Sequence, residues 1–338
     1  MGMKNGIINS DRMNLEQCFE KMARQLEKDI RNGWRFCVKI CGYIIELRFC
    51  SEEELKRAAA YLRGQIVQKE ESRDAFFHIW TDDYTRYFSV RETVRPWIFE
   101  EEDVYIQLMP GKYFLGVNWK SNSYYFCRQT GRLTDIPYRI LPLLRLWSKG
   151  KNMRMLHGAV VGLNGKGVLI TAHGGGGKST LAVACLLAGM DFISDDCCLI
   201  NNQGPLRAKP VETVIKLHAD SMEQLKPSMP IIWDDSSRNH KKTLDASEYR
   251  FCEELSIEAV IYPKITVCEE PQIIAAPPIP VLMQLVHSTL EQVVTSNYTR
   301  ESQAIFKRFF GLPTYEMQLS SNLNKNAEAV RTFIEGRL

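Results

Sequence analysis

Val168-Leu169-Ile170-Thr171-Ala172-His173-Gly174-Gly175-Gly176-Gly177-Lys178-Ser179-Thr180 decides how the rest of the chain is read. An apolar strand-like run feeds four glycines, then Gly-Lys-Ser, then a Leu- and Ala-rich stretch that reads as a helix from Lys178 to Gly189. That is the strand–loop–helix context of a phosphate-binding loop. Glycines let backbone N–H groups turn inward and approach phosphate oxygens, and the helix start aims the positive end of its dipole at the same anion. In this reading Lys178 reaches the β- and γ-phosphates of a nucleotide and the Ser179 hydroxyl ligates Mg²⁺. Gly174, Gly175, Gly176, Gly177 and Thr180 complete the expected nucleotide site. Ala172 stands where the pattern has its first glycine, which a residue with negative φ can fill. A ligand-free glycine turn is the competing reading, and four consecutive glycines make it entropically costly. His173 is left open between a phosphate contact and a solvent-facing position.

Downstream, Ile193-Ser194-Asp195-Asp196 places an acidic pair seventeen residues after Lys178, behind one short apolar strand. A crossover through the loop helix predicts that this strand returns beside the first one, with Asp195 at its carboxyl end, facing the glycine loop. Two adjacent carboxylates can divide labour, one accepting a proton and the other holding metal or orienting its neighbour. An Asp-Asp turn without function is the plainer alternative. Upstream, His157 before Gly158 would by itself read as a hydrogen-bonded structural histidine.

Taken in order, Leu156-His157-Gly158-Ala159-Val160, Gly167–Thr171, Gly177-Lys178-Ser179, Gly189 and Ile193–Asp196 resemble the catalytic core of HPr kinase/phosphorylase. The resemblance is strong from Leu156 to Ile200. It implies an α/β fold with a P-loop core arranged as in HPr kinase and phosphoenolpyruvate carboxykinase, using ATP and Mg²⁺ to phosphorylate a serine hydroxyl. Carried over by position, Asp195 would accept the proton, His157 would assist the acid/base step, and Lys178 would bind phosphate. Ser179, Asp196 and Glu212 would hold the metal. Glu212 comes from Pro210–Leu217, which occupies the place of the family's Glu-Arg-Gly signature without reproducing it. In overall form the chain is similar to HPr-kinase-like proteins of peptide-modifying systems, including lasso-peptide kinases, which implies a small protein or peptide as acceptor.

Phosphoryl transfer also needs cations around the transferring group. Lys209, Lys216, Arg238, His240, Lys241 and Lys242 follow the acidic pair, with Arg207 beside them, and Lys241-Lys242 is the candidate clamp. Trp233-Asp234-Asp235 is a candidate lid. The stretch from Leu206 to Asp245 reads as loops. Beyond it Val281–Val294 and Ser302–Phe310 read as helices, Thr314–Leu319 as a strand and Leu323–Glu335 as a closing helix.

Before residue 150 the text differs. Asn14–Ile30 places Leu15, Phe19, Met22, Leu26 and Ile30 on one helix face. Arg35–Ile40 and Tyr43–Phe49 read as strands around Cys41-Gly42, and Ser51-x-x-Glu54 as a capping box. Ala75–Trp80, Arg86–Val90, Val104–Met109, Tyr113–Val117 and Tyr124–Cys127 read as strands, and Ile136–Trp147 as a helix containing Pro142. These patterns divide the chain into an α+β domain over 1–150 and a P-loop kinase domain over 151–338. The first would dock a peptide by strand addition or give packing support, and both remain open.

The bulk numbers exclude several classes. A net charge of +3 over 338 residues supplies no field for nucleic acid or an acidic membrane surface. Ten cysteines include no C-x-x-C pair, and most lie inside apolar runs, so a reducing compartment is expected over a disulfide or zinc framework. No secretory h-region and no membrane-length apolar run is visible, which points to the cytoplasm. A homo-oligomer is left open. Beside the peptide serine kinase stand two other readings: a small-molecule hydroxyl kinase, and an ATP-binding regulatory module without transfer, which would need neither His157 nor Asp195.

Overall fold

A computed structural model describes residues 9–30, 33–68, 72–88, 96–128, 136–234, 241–266, 268–291 and 298–337. The fold is mixed α/β and divides into two compact units. One comprises residues 1–59 and 66–147; the other comprises Ala60–Gln65 and Ser148–Leu338.

The first unit is built on an eight-stranded sheet in the order β3-β1-β2-β4-β8-β7-β6-β5. Its strands are β1 (Arg35–Ile40), β2 (Tyr43–Phe49), β3 (Ile66–Val67), β4 (Ala75–Thr81), β5 (Trp97–Glu100), β6 (Val104–Met109), β7 (Tyr113–Asn118) and β8 (Ser123–Arg128). Cys41 and Gly42 both take positive φ, which lets a two-residue turn join β1 to β2. Helix α1 (Asn9–Asp29) buries Phe19, Met22 and Leu26, the 3.6-residue stripe expected of it. Helix α2 (Glu52–Tyr61) starts with half a capping box: Ser51 Oγ accepts from the Glu54 N–H at 3.2 Å. The Glu54 carboxylate does not return the bond. It is held instead by Arg139 at 2.7 Å, from helix α3 (Ile136–Lys149). Of the expected strand Arg86–Val90, Arg86 closes a 3₁₀ turn that starts at Tyr84, and residues 89 and 90 lie outside the described ones.

The second unit carries the glycine-rich loop. Its nine-stranded sheet runs β12-β10-β11-β18-β14-β13-β9, with β20 on β18 and β19 on β20. The strands are β9 (Met153–His157), β10 (Ala159–Leu163), β11 (Lys166–Ile170), β12 (Asp191–Ser194), β13 (Cys197–Asn201), β14 (Arg207–Pro210), β18 (Leu255–Ile265), β19 (Gln272–Ala275) and β20 (Thr314–Leu319). Asn164 and Gly165, both at positive φ, close the β10–β11 hairpin. Helix α4 (Lys178–Leu187) follows the loop and is buried from Leu181 through Leu186, so it is apolar on every side. Helices α6 (Pro278–Glu291), α7 (Tyr298–Phe309) and α8 (Leu323–Arg337) complete the unit, with α8 packed on α4. Among the described residues no helix is long and apolar enough to cross a membrane.

Three expectations are corrected. The strand after α4 does not lie beside β11: β12 pairs antiparallel with β10, which separates it from β11. The parallel neighbour of β11 is β18, a strand of eleven residues. The region from Leu206 to Asp245 is also not mainly loop. It adds β14 to the large sheet and forms a three-stranded antiparallel sheet of β15 (Val214–His218), β17 (Lys241–Asp245) and β16 (Ile231–Asp234), with α5 (Ala219–Leu225) between β15 and β16. Trp233 and Asp234 therefore belong to a strand, while residues 235–240, with Arg238 and His240, lie outside the described residues.

Candidate functional site

Strand β11 is tied to β18 up to its end, where the Thr171 N–H donates to Ile261 O at 3.0 Å. The chain then turns through Ala172–Gly177 into α4. Gly175 and Gly177 take φ of 79° and 84°, a region that costs an L-residue. Gly174 has neither a positive φ nor a neighbour that a Cβ would meet, so only part of the glycine run is dictated by the free loop. Ala172 is buried and is not among the residues with positive φ, which is why alanine fits there. His173 is engaged by Tyr262, with 2.9 Å between Nε2 and the tyrosine hydroxyl. Thr180 Oγ1 lies 2.7 Å from Ser221 Oγ of α5.

Helix α4 starts with Lys178 turned inward, 7% exposed. Its Nζ donates to the backbone carbonyl of Asp195 at 2.5 Å and lies 3.8 Å from Asp196 Oδ1. Ser179 Oγ approaches the same Asp195 carbonyl at 3.4 Å. The acidic pair occupies the turn between β12 and β13. That turn is fixed by three bonds: Gly158 N–H to Asp196 O at 2.8 Å, Asp196 N–H to Ser194 Oγ at 3.0 Å, and Ser194 Oγ to Gly158 O at 3.3 Å.

The β9–β13 register sets His157 opposite Cys197, next to the pair. His157 Nε2 is 2.8 Å from Asp196 Oδ1 and Nδ1 is 3.2 Å from the Ser288 carbonyl of α6. Both partners are hydrogen-bond acceptors.

The carboxylates of the pair differ. Asp195 is 1% exposed and its Oδ2 accepts from the Lys216 backbone N–H at 3.3 Å. Burial first, and the neighbouring Asp196 charge second, push its carboxyl above the ordinary value. Asp196 keeps 18% of its side chain exposed. Burial acts to raise it too, but Lys216, then the His157 hydrogen bond, then Lys178 hold it well below the ordinary carboxylate range. The carboxylate that meets the histidine, the loop lysine and solvent is that of Asp196.

Lys216 was one cation among several in the sequence, and the structure brings it into the site. From β15, its Nζ lies 3.4 Å from Asp196 Oδ2 and 3.6 Å from Glu212 Oε1. Burial would lower this ammonium, but Glu212 and Asp196 more than offset that and hold it well above the usual lysine value. Glu212 is buried, its second oxygen has no partner, and burial pushes its carboxyl up against the pull of Lys216. The Lys241-Lys242 pair lies on β17. Lys216 faces Thr243 in register, so adjacent Lys242 points to the other side of that sheet, where it pairs with Asp234 at 3.5 Å. Arg207 and Lys209 are both engaged by Glu254.

Among the described residues no three His, Cys, Asp or Glu side chains are grouped to hold a metal by themselves. Mg²⁺ in phosphoryl-transfer sites takes one or two carboxylates and completes its shell with phosphate and water, so Ser179 Oγ beside the acidic pair is a donor set that fits it.

No family model matches the chain, and no curated protein matches it. Among solved structures, the HPr(Ser) kinase/phosphatase from Coxiella burnetii superposes with a TM-score of 0.30 and 11% sequence identity, over 54% of this chain and 90% of that one. At that score the likeness fixes neither fold nor function.

Proposed function

We propose that this chain is an ATP-dependent kinase that transfers the γ-phosphoryl group to a serine hydroxyl of a small protein or peptide. One observation carries the reading: the lysine that opens the loop helix, the Asp196 carboxylate and His157 converge, at 3.8 and 2.8 Å, beside a glycine-rich loop. A nucleotide-binding module needs the loop and the lysine. It has no use for a carboxylate braced by histidine at the same point.

In this mechanism Lys178 exchanges the Asp195 carbonyl for phosphate oxygens, as the loop N–H groups and the α4 terminus gather the triphosphate. Asp196 Oδ takes the proton of the acceptor hydroxyl, whose oxygen bonds to the γ-phosphorus as the bond to the β–γ bridging oxygen breaks, and ADP leaves. His157 orients Asp196, and Lys216 adds a second positive charge beside the transferred group. Mg²⁺, which Ser179 and Asp196 would hold, would neutralise phosphate charge. Proton acceptance is assigned to Asp196 instead of Asp195 because geometry ranks before pKa, and Asp195 is closed off from an incoming hydroxyl.

The test is incubation of the full chain with γ-labelled ATP and Mg²⁺, with serine-containing peptides in one arm and free hydroxyl metabolites in the other, read by mass spectrometry. Phosphate on a peptide serine is expected. Phosphate only on a metabolite moves the acceptor class, and nucleotide binding without transfer to either overturns the reading.

A further inference from the structure

Lys216 has a partner that no sequence pattern connects to it. Tyr61, at the end of α2 and within the second unit, is wholly buried and lies with its ring centroid 5.8 Å from Lys216 Nζ. That is inside the range over which an ammonium is drawn to an aromatic face. The ring also stacks with Trp233 of β16, at 6.0 Å and 27°. The segment carrying Tyr61 is pinned to the three-stranded sheet twice more. The Gly64 N–H donates to Thr213 Oγ1 at 3.2 Å, and Arg63 Nη1 meets Asp245 Oδ2 of β17 at 3.0 Å. The approach at Gly64 leaves no room for a side chain: a Cβ there would lie 2.8 Å from Thr213 Cγ2.

These contacts surround one ammonium. Asp196 and Glu212 attract it from two sides, and the Tyr61 face meets it as well. A lysine on its flexible four-carbon stem could otherwise swing toward Glu212 or into water and leave Asp196. The Tyr61 hydroxyl is buried and has no hydrogen-bond partner, so what the surroundings use is the ring.

We propose that Tyr61 is a positioning residue of the candidate site: its ring holds the Lys216 ammonium against Asp196, so the short segment Ala60–Gln65 completes a site otherwise made downstream of residue 150. The catalytic consequence rests on the kinase reading, whereas the placement of the ammonium does not.

The experiment compares wild-type full chain with Tyr61→Phe and Tyr61→Leu after circular dichroism has shown both variants folded. If the leucine variant does not fold, Tyr61→Met, which fills more of the volume without a π face, takes its place. Lysines are acylated briefly with an amine-selective reagent and quantified one by one by mass spectrometry. Lys216 is expected to react slowly in wild type and Tyr61→Phe and several-fold faster in the variant without a ring, with Lys178 unchanged. In the same proteins, kcat for phosphoryl transfer should fall about tenfold without the ring, the scale of a modest misplacement, while KM for ATP stays within about twofold and phenylalanine restores the rate. Equal Lys216 acylation in all three proteins overturns the proposal, as does equal loss of rate in the phenylalanine and ringless variants. Absence of transfer in wild type removes the kinase reading alone, and the acylation result still decides the role of Tyr61.

Discussion

Lys178 and Asp195 meet through the lysine ammonium and the aspartate's backbone carbonyl, 2.5 Å apart, and not through the carboxylate. The bond fixes the ammonium where β12 ends, and it leaves Asp196 as the nearer carboxylate at 3.8 Å. It also uses the Asp195 main chain as an anchor, a role any residue at that position could fill. The side chain that the proposed mechanism requires as an acid is the next one.

Exchange of each carboxyl for its amide should therefore separate the two. Asp196→Asn is expected to retain nucleotide binding and lose phosphoryl transfer by roughly 10²–10⁴-fold, the range for removal of a general base. Asp195→Asn keeps the backbone carbonyl and a near-isosteric side chain, and should lose about tenfold or less, within the cost of a small misplacement. Single-turnover rates with saturating ATP measure both. The reverse ranking would return proton acceptance to Asp195.

The same pair should respond oppositely to pH in stability. Burial raises the folded Asp195 carboxyl above its ordinary 3.8, so the folded state binds the proton more tightly and ionisation costs stability as pH rises. Asp195→Asn should then melt higher than wild type at pH 8, with the gain vanishing toward pH 3. Asp196 is held below 3.8, so it contributes stability above that value and loses it as pH falls through its folded one. Asp196→Asn should melt lower at pH 8, and the gap should stay constant down to about pH 4 and begin to narrow only below 3.8. Thermal melts from pH 3 to 8 decide it, and a lower melting point for Asp195→Asn at pH 8 would contradict the burial argument.

Much of this site was legible because it is local. The strand, glycine run, Gly-Lys-Ser and helix are consecutive, so the pattern is read from neighbouring residues alone. Neighbourhood in the sheet was not legible. The crossover rule puts consecutive parallel strands side by side, yet β10 had already taken that edge of β11 by folding back through its hairpin. Strand β18 is hard to read because Pro263 interrupts its donors and Ser256 and Glu258 break its apolar run, and in its middle Ala259, Val260 and Ile261 are buried on both faces. Lys216 was one of several cations after the acidic pair, and only the folding of β15 brings its ammonium to Asp196, with Glu212 3.6 Å from the same ammonium. Tyr61 is 155 positions from Lys216, and no spacing rule reaches that far.

The glycines of the loop should not be equivalent. Gly177→Ala places a Cβ at φ 84°, 2.9 Å from Leu319 Cδ1, and should cost about 1–2 kcal/mol of stability from the left-handed backbone alone. Gly174→Ala meets nothing in the free loop and should melt as wild type does. Any loss of ATP affinity in the Gly174 variant then measures how closely phosphate approaches that backbone. Calorimetric titration beside thermal melts gives both numbers. A Gly177→Ala protein as stable as wild type would remove the conformational argument for the glycine.

In the first unit His78, on β4, offers a test independent of the candidate site. It is fully buried and stacked on Tyr125 at 4.5 Å, and neither ring nitrogen has a partner. Burial first, with Arg48 adding to it, pushes its pKa from 6.5 down to about 3. The neutral ring is thus favoured in the fold, and its contribution is fully present above pH 6.5 and lost as pH falls toward 3. A shift of that size corresponds to roughly 5 kcal/mol once the ring is protonated in the unfolded chain. His78→Phe keeps the stack and removes the titration, so it should flatten the loss of stability between pH 7 and 4. Urea melts of the full chain, followed by hydrogen exchange at β4 and β8, report on this unit. Equal acid losses in variant and wild type would show that other groups govern the acid response, and a steeper loss in the variant would mean that His78 finds a partner on protonation.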